Sequence, residues 1–162
     1  MEMSQNKQDF LRLACGAEAF TALHFGLQNA IRVAAEKYQR AYPEATPWII
    51  TSAMRTLRRQ AELMADMTPE QLRAMYCSGG TPQYIDDICK VYPASAEIIH
   101  QILANRTEGY ISRHLYGLAA DIAAENITHP QELKALLLEA GVAAILDERD
   151  MGIQCFHVAW KE

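Results

Sequence analysis

Trp48-Ile49-Ile50-Thr51 is a run of aromatic and β-branched residues fenced on its N-terminal side by Pro43 and Pro47. Proline has no amide proton to donate and biases the residue before it away from the helical region, so a helix arriving from upstream must stop there. The run itself reads as a strand. Upstream, from about 8 to 40, Phe10, Leu13, Phe20, Leu23, Leu27, Ile31, Val33 and Ala34 recur at helical spacing and predict one or two helices broken near Gly16. A chain that changes period in this way has to pack helices on a sheet.

The remainder repeats the alternation. Residues 55–64 have helical composition, and Thr68-Pro69-Glu70-Gln71 offers a capping threonine, a proline in first position and a glutamine in third, predicting a helix to about 76. Two more helical pieces, 82–91 and 94–105, are divided at Pro93, and Ser78-Gly79-Gly80 is a loop. Residues 119–123 read as a strand. Thr128-His129-Pro130-Gln131 has the spacing of a second capping box, ahead of a helix with Leu133, Leu136, Leu137 and Leu138 on its apolar side and Gly141 at its end. Segments 142–146 and 155–160 read as strands joined by a charged turn. The expectation is one α+β domain over 1–162, helices packed on a small, mostly antiparallel sheet, with a helical excursion at about 64–110.

Half of the 162 residues are hydrophobic, enough to bury a core without a disulfide or structural metal, so a metal here would serve chemistry. The net charge of -5 argues against a nucleic-acid partner. Arg58 and Arg59, beside Arg55, read as a solvated helix face. Cys15, Cys77, Cys89 and Cys155 contain no C-x-x-C pair and read mostly as buried thiols, a Cys77–Cys89 bridge being the minor alternative. His24 and His100 read as packing or surface residues, and His129 as an exposed helix-start residue. Positions 1–7 show neither the basic start nor the apolar run of a secretory signal, and no later segment approaches 18 apolar residues. The chain is therefore expected to be synthesised in the cytoplasm without a signal peptide and not to insert in a membrane.

One stretch carries chemistry: Ser112-x-His114-x-x-Gly117-x-Ala119-x-Asp121, two potential metal ligands seven residues apart with a glycine between them where the backbone can turn. His157, in the last predicted strand, is a third. If the strands of Asp121 and His157 are neighbours, both side chains can project from one face, with His114 closing over them. Three protein ligands leave zinc an open position for water, the arrangement of a catalytic site. Spacing alone leaves open a purely structural role for His114 and Asp121.

These residues resemble the signature of the LAS group of zinc peptidases, which includes D-alanyl-D-alanine carboxypeptidases and dipeptidases and phage L-alanyl-D-glutamate endolysins. Upstream, Thr51-Ser52-Ala53-Met54-Arg55 followed by Gln60 is similar to the group's Ser-Gly-Tyr-Arg-Ser-x-x-x-Gln segment, and the three matching segments run in order across 48–160, leaving out the helical excursion. The resemblance implies a hedgehog/D-Ala-D-Ala peptidase-like fold, Zn2+ held by His114, Asp121 and His157, and Arg55 on the substrate carbonyl, where a fixed cation stabilises the developing oxyanion. It places Ser112 and Gln60 where they hydrogen-bond substrate or structure. The implied activity is metal-activated hydrolysis of peptidoglycan stem-peptide bonds. The implied site of action is the cell wall, reached through a phage or a secretion system.

At one position the chain departs from the pattern. Where many members carry Glu three residues before the last histidine, to take a proton from water and deliver it to the leaving amine, this chain has Gln154. An amide can orient water but cannot accept and return a proton at neutral pH. The branch that instead places Asp two residues after the histidine is not matched, since that position is Ala159. Three readings stay open: another carboxylate serves as base, with Glu148 or Asp150 as candidates; the base has been replaced by design; or the protein is a zinc- or peptide-binding relative that no longer cleaves.

Overall fold

The structure, a computed structural model, describes residues 10–107 and 110–161. Positions 1–7, expected to lack a signal, lie outside the described residues, as do the first two positions of the stretch read as helical from 8 and positions 108 and 109 of the expected excursion. Among the described residues there are five strands, β1 (Leu11–Leu13), β2 (Trp48–Ser52), β3 (Ala119–Ala123), β4 (Ala144–Asp147) and β5 (Cys155–Ala159). There are seven α-helices: α1 (Ala17–Thr21), α2 (Phe25–Ala41), α3 (Leu57–Ala65), α4 (Pro69–Tyr76), α5 (Gln83–Lys90), α6 (Ala96–Ala104) and α7 (Pro130–Glu139). Contacts gather them into two compact units, one made of the residues up to Met54 and those from Tyr116 on, the other of Arg55–Leu115. No helix among the described residues is long and apolar enough to cross a membrane.

The first unit is an α+β body on a five-stranded sheet of order β1-β2-β3-β5-β4. The sheet is mixed, not mostly antiparallel as the pattern predicts, because β1 runs parallel to β2 with Leu11 opposite Trp48 and Leu13 opposite Ile50. A three-residue strand is too short to show alternation, and Phe10 and Leu13 happen to match the helical period that follows. The parallel pairing needs a crossover, which α1 and α2 supply. α2 buries Leu27, Ala30, Ile31, Ala34, Ala35 and Tyr38, the stripe expected of a helix seated on a sheet. It ends at Ala41, ahead of Pro43, whose carbonyl accepts from Gln39 Nε2 at 3.1 Å.

β3, β5 and β4 are antiparallel neighbours. Alternation along β3 and β5 sends Ala120, Ile122, Phe156 and Val158 into the core with α2 and α7, which leaves Asp121, Cys155 and His157 on the other face. Burying a side chain such as Phe156 contributes about 1.5–3 kcal/mol, so the core holds this register against a one-residue slip that would exchange the two faces. The second capping box does not form: α7 starts one residue later than expected, with His129 at its N-cap and no side-chain cap bond. His129 instead stacks on Tyr42 at 3.7 Å and donates its amide to the Tyr38 hydroxyl at 3.1 Å, contacts that outweigh a local cap. Leu133 and Leu137 face the core as expected, whereas Leu138 is exposed.

The second unit is helical. α3 packs on α6, and Ala61, Met64, Leu72, Tyr84, Ile85, Ile88, Ile99 and Leu103 form its own core. Its helix starts are capped locally: the Thr56 hydroxyl accepts from Arg59 N, Ser95 accepts from Ile98 N, and Thr68 and Gln71 close the capping box read from the sequence. Arg58 and Arg59 are exposed, Arg59 pairing with Glu62. All four cysteines are free, so Cys77 and Cys89 are not bridged, and only Cys155 is buried.

Candidate metal centre

Asp121 and His157 are register partners on β3 and β5, and their side chains meet at 3.0 Å between Oδ1 and Nδ1. The pairing follows from the sheet. Residues directly opposite each other on antiparallel strands share a face, and this face is the one the apolar residues of both strands leave vacant.

Entry into β3 depends on Gly117. Its φ of +69° lies in the left-handed region, and an added Cβ would sit 3.0 Å from the Ala22 carbonyl oxygen. The Gly117 carbonyl also accepts from the His24 amide at 2.8 Å. His24, read as a packed or surface residue, is exposed; it caps α2 through Nδ1 and stacks on Trp160.

Glu148 reaches the same face from the 3-10 turn Glu148–Met151 that follows β4. It is one of few buried polar side chains, 8% exposed, with Oε1 3.8 Å from His157 Nδ1. The residue before it anchors the turn. Asp147 accepts from Arg149 Nε and Nη2 at 2.8 and 2.6 Å, from the Arg149 amide at 3.2 Å and from Lys134 Nζ at 3.1 Å. The Arg149 fork, with Lys134 adding to it, holds the Asp147 carboxyl well below the usual carboxylate range against the opposing effect of burial.

Cys155 lies two residues before His157 on the same face, and ligand-type atoms of Asp121, Glu148 and Cys155 lie within 4.8 Å of one another. Burial, and then the charges of Asp121 and Glu148, push the Cys155 thiol up to about 12. Among the described residues, His, Asp, Glu and Cys side chains therefore form groupings that could hold a metal ion. Imidazole nitrogen, carboxylate oxygen and cysteine sulfur are the ligand types that such groupings offer.

Gln154, the position matched to the family base, precedes β5 and is exposed, and its backbone carbonyl accepts from Ala124 N at 3.0 Å. Three residues from His157 is an odd step along an extended chain, which does not return to the same face. Asp150 is exposed as well. Of the two carboxylates considered as substitutes, Glu148 is the one that joins the cluster.

The second unit holds the remaining residues read from the sequence. Arg55 donates through Nη1 to Gln60 Oε1 at 2.9 Å, and its amide donates to the His114 carbonyl at 2.9 Å. His114 is 3% exposed and sits in the 3-10 turn Arg113–Tyr116, where its amide donates to Ser112 Oγ at 3.3 Å. Gln60 is fully buried and donates through Nε2 to the Tyr76 hydroxyl at 2.7 Å. Burial raises the Tyr76 phenol, with the Gln60 hydrogen bond and the Arg55 charge working against it. Tyr76 closes α4 with no motif around it, so no local signal marks it, whereas the i, i+2 spacing to His157 marks Cys155 as a ligand-type residue. No family model, curated protein or solved structure matches the chain.

Proposed function

We propose that the protein is a zinc-dependent peptidase that hydrolyses stem-peptide bonds of peptidoglycan, on a fold of the hedgehog/D-Ala-D-Ala peptidase type. The observation that carries this reading is the Asp121–His157 pair, a carboxylate and an imidazole facing each other at 3.0 Å in a sequence whose ordered motifs resemble those of the LAS group. His114, seven residues before Asp121 and one of the ligand-type residues, is the third ligand in this proposal. When bound, zinc supplies a Lewis acid for the scissile carbonyl and acidifies water.

The chain's own residues divide the rest of the work. Arg55, oriented by Gln60, donates to the carbonyl oxygen as negative charge develops on it. Ser112 lines the site. Glu148 takes the proton from the attacking water and passes it to the amide nitrogen as the C–N bond breaks, so the products leave as a carboxylate and an amine. Glu148 has this role, in place of Gln154, because it is the buried carboxylate 3.8 Å from His157 Nδ1. The enzyme acts at the cell wall after delivery by a phage or a secretion system.

The test is digestion of purified peptidoglycan with added zinc, followed by chromatography of the muropeptides. Release of new peptide ends by the wild type, lost in Asp121→Ala, is the expected result. A protein that neither binds zinc nor cleaves would overturn the proposal. Stoichiometric zinc without cleavage supports the second reading, a peptide- or zinc-binding protein of the same fold, which the exposed amide at Gln154 favours.

A further inference from the structure

Arg55, Gln60 and Tyr76 form a hydrogen-bonded chain that ends at a cavity. Gln60 has no freedom to flip: its carbonyl oxygen must accept from Arg55 and its amide nitrogen must donate to Tyr76, at 2.9 and 2.7 Å, with the whole side chain out of solvent. The Tyr76 oxygen is therefore an acceptor toward Gln60. Its own hydrogen has no acceptor in the hydrogen bonds of the described residues.

Tyr76 also lines a cavity of about 650 Å³ at the α4–α5 connection, together with Ser78, Gly79, Gly80, Thr81 and Tyr110. That volume suits a small ligand or a short peptide segment. No lining residue carries a charge, and the wall offers two phenols, two hydroxyls, the Gln83 carboxamide and an exposed glycine backbone. A Cβ added at Gly79 or Gly80 would meet nothing within 4 Å, so the backbone there is open to close approach by another chain. Such a surface recognises backbone amides and small uncharged side chains.

We infer that this cavity is a subsite for the uncharged part of a peptide, with the Tyr76 hydroxyl donating to a peptide carbonyl and Gln60 coupling that contact to the position of Arg55. The inference rests on the peptidase reading for the role of Arg55. The cavity itself is tested by binding alone.

Titration calorimetry of the full chain with a stem pentapeptide ending in D-Ala-D-Ala reads the subsite directly, without cleavage, in zinc-free buffer. Gly79→Trp adds a bulky side chain at a lining position where a Cβ meets nothing within 4 Å. It is expected to weaken binding at least tenfold at an unchanged melting temperature, and Tyr76→Phe to weaken it about three- to tenfold, the scale of one net hydrogen bond. Thr81→Trp is a second obstruction from an exposed lining position and repeats the result if Gly79→Trp lowers the melting temperature. In a cleavage assay Gly79→Trp raises KM at least tenfold and leaves kcat within twofold, a split that a merely structural defect does not produce. Full-strength pentapeptide binding by both tryptophan variants, or no binding by the wild type, overturns the inference. Cleavage with unaltered kinetics in those variants sinks the subsite and leaves the peptidase; binding without cleavage sinks the peptidase and leaves the subsite.

Discussion

Glu148 Oε1 lies 3.8 Å from His157 Nδ1, on the sheet face that also carries Asp121, while Gln154, where the LAS peptidases that the chain resembles carry their base, is exposed. The two positions therefore exchange importance relative to the motif. Glu148→Gln is expected to lower kcat about 10²–10⁴-fold, the usual worth of a positioned acid–base group. Gln154→Glu is expected to leave it within threefold. Steady-state cleavage of a stem peptide by both variants decides the matter, and a large gain in Gln154→Glu would show that the base belongs there.

Zinc should stabilise the native state by mass action. At a concentration a hundredfold above its dissociation constant, a ligand of the folded state adds about 2.7 kcal/mol. For a protein of this size that raises the melting temperature by roughly 5–10 °C. Differential scanning fluorimetry with zinc, and again after a chelator, reads the shift. It should disappear in Asp121→Ala, and a wild type indifferent to both additions would count against a metal centre.

The glycine of the motif is a backbone requirement. Gly117→Ala places a Cβ 3.0 Å from the Ala22 oxygen at a φ of +69°, a strained conformation expected to cost about 1–3 kcal/mol in urea unfolding. Gly152→Ala separates the two causes: it is left-handed at a φ of +77° but meets nothing within 4 Å. A smaller loss there than at Gly117 is the expected order.

Asp147 predicts a pH dependence. Its folded carboxyl is held well below the usual range by Arg149 and Lys134, so its contribution is fully present above the unfolded pKa, near 3.9, and is lost as the pH falls from there through the folded value. The stability difference between the wild type and Asp147→Asn should be constant above about pH 5 and shrink below about pH 4. Denaturation curves at pH 7, 5, 4 and 3 measure it. A difference that grows on acidification would contradict the assignment.

Phe156 joins the core to the site, since its neighbour His157 points to the opposite face. Phe156→Ala should cost about 3–5 kcal/mol and weaken zinc binding through the loosened register of β3 and β5. Chemical unfolding and a zinc titration on the same variant test both halves.

Whatever depends on near neighbours is legible along the chain. Trp48 to Thr51 had to be a strand after two prolines, Thr68 and Gln71 had to start a helix, Gly117 marked the turn into β3, and alternation in β5 put His157 opposite in character to Phe156 and Val158. Tertiary structure decided the rest. It paired β1 parallel to β2 through a three-residue strand with no period to read, and moved the start of α7 by one residue because His129 found Tyr42 and Tyr38. It also turned Glu148 inward, left Gln154 in solvent and joined Gln60 to Tyr76, 16 residues away. Local signals record spacing along the chain, whereas each of these outcomes depends on how strands and helices distant in sequence pack within their own unit.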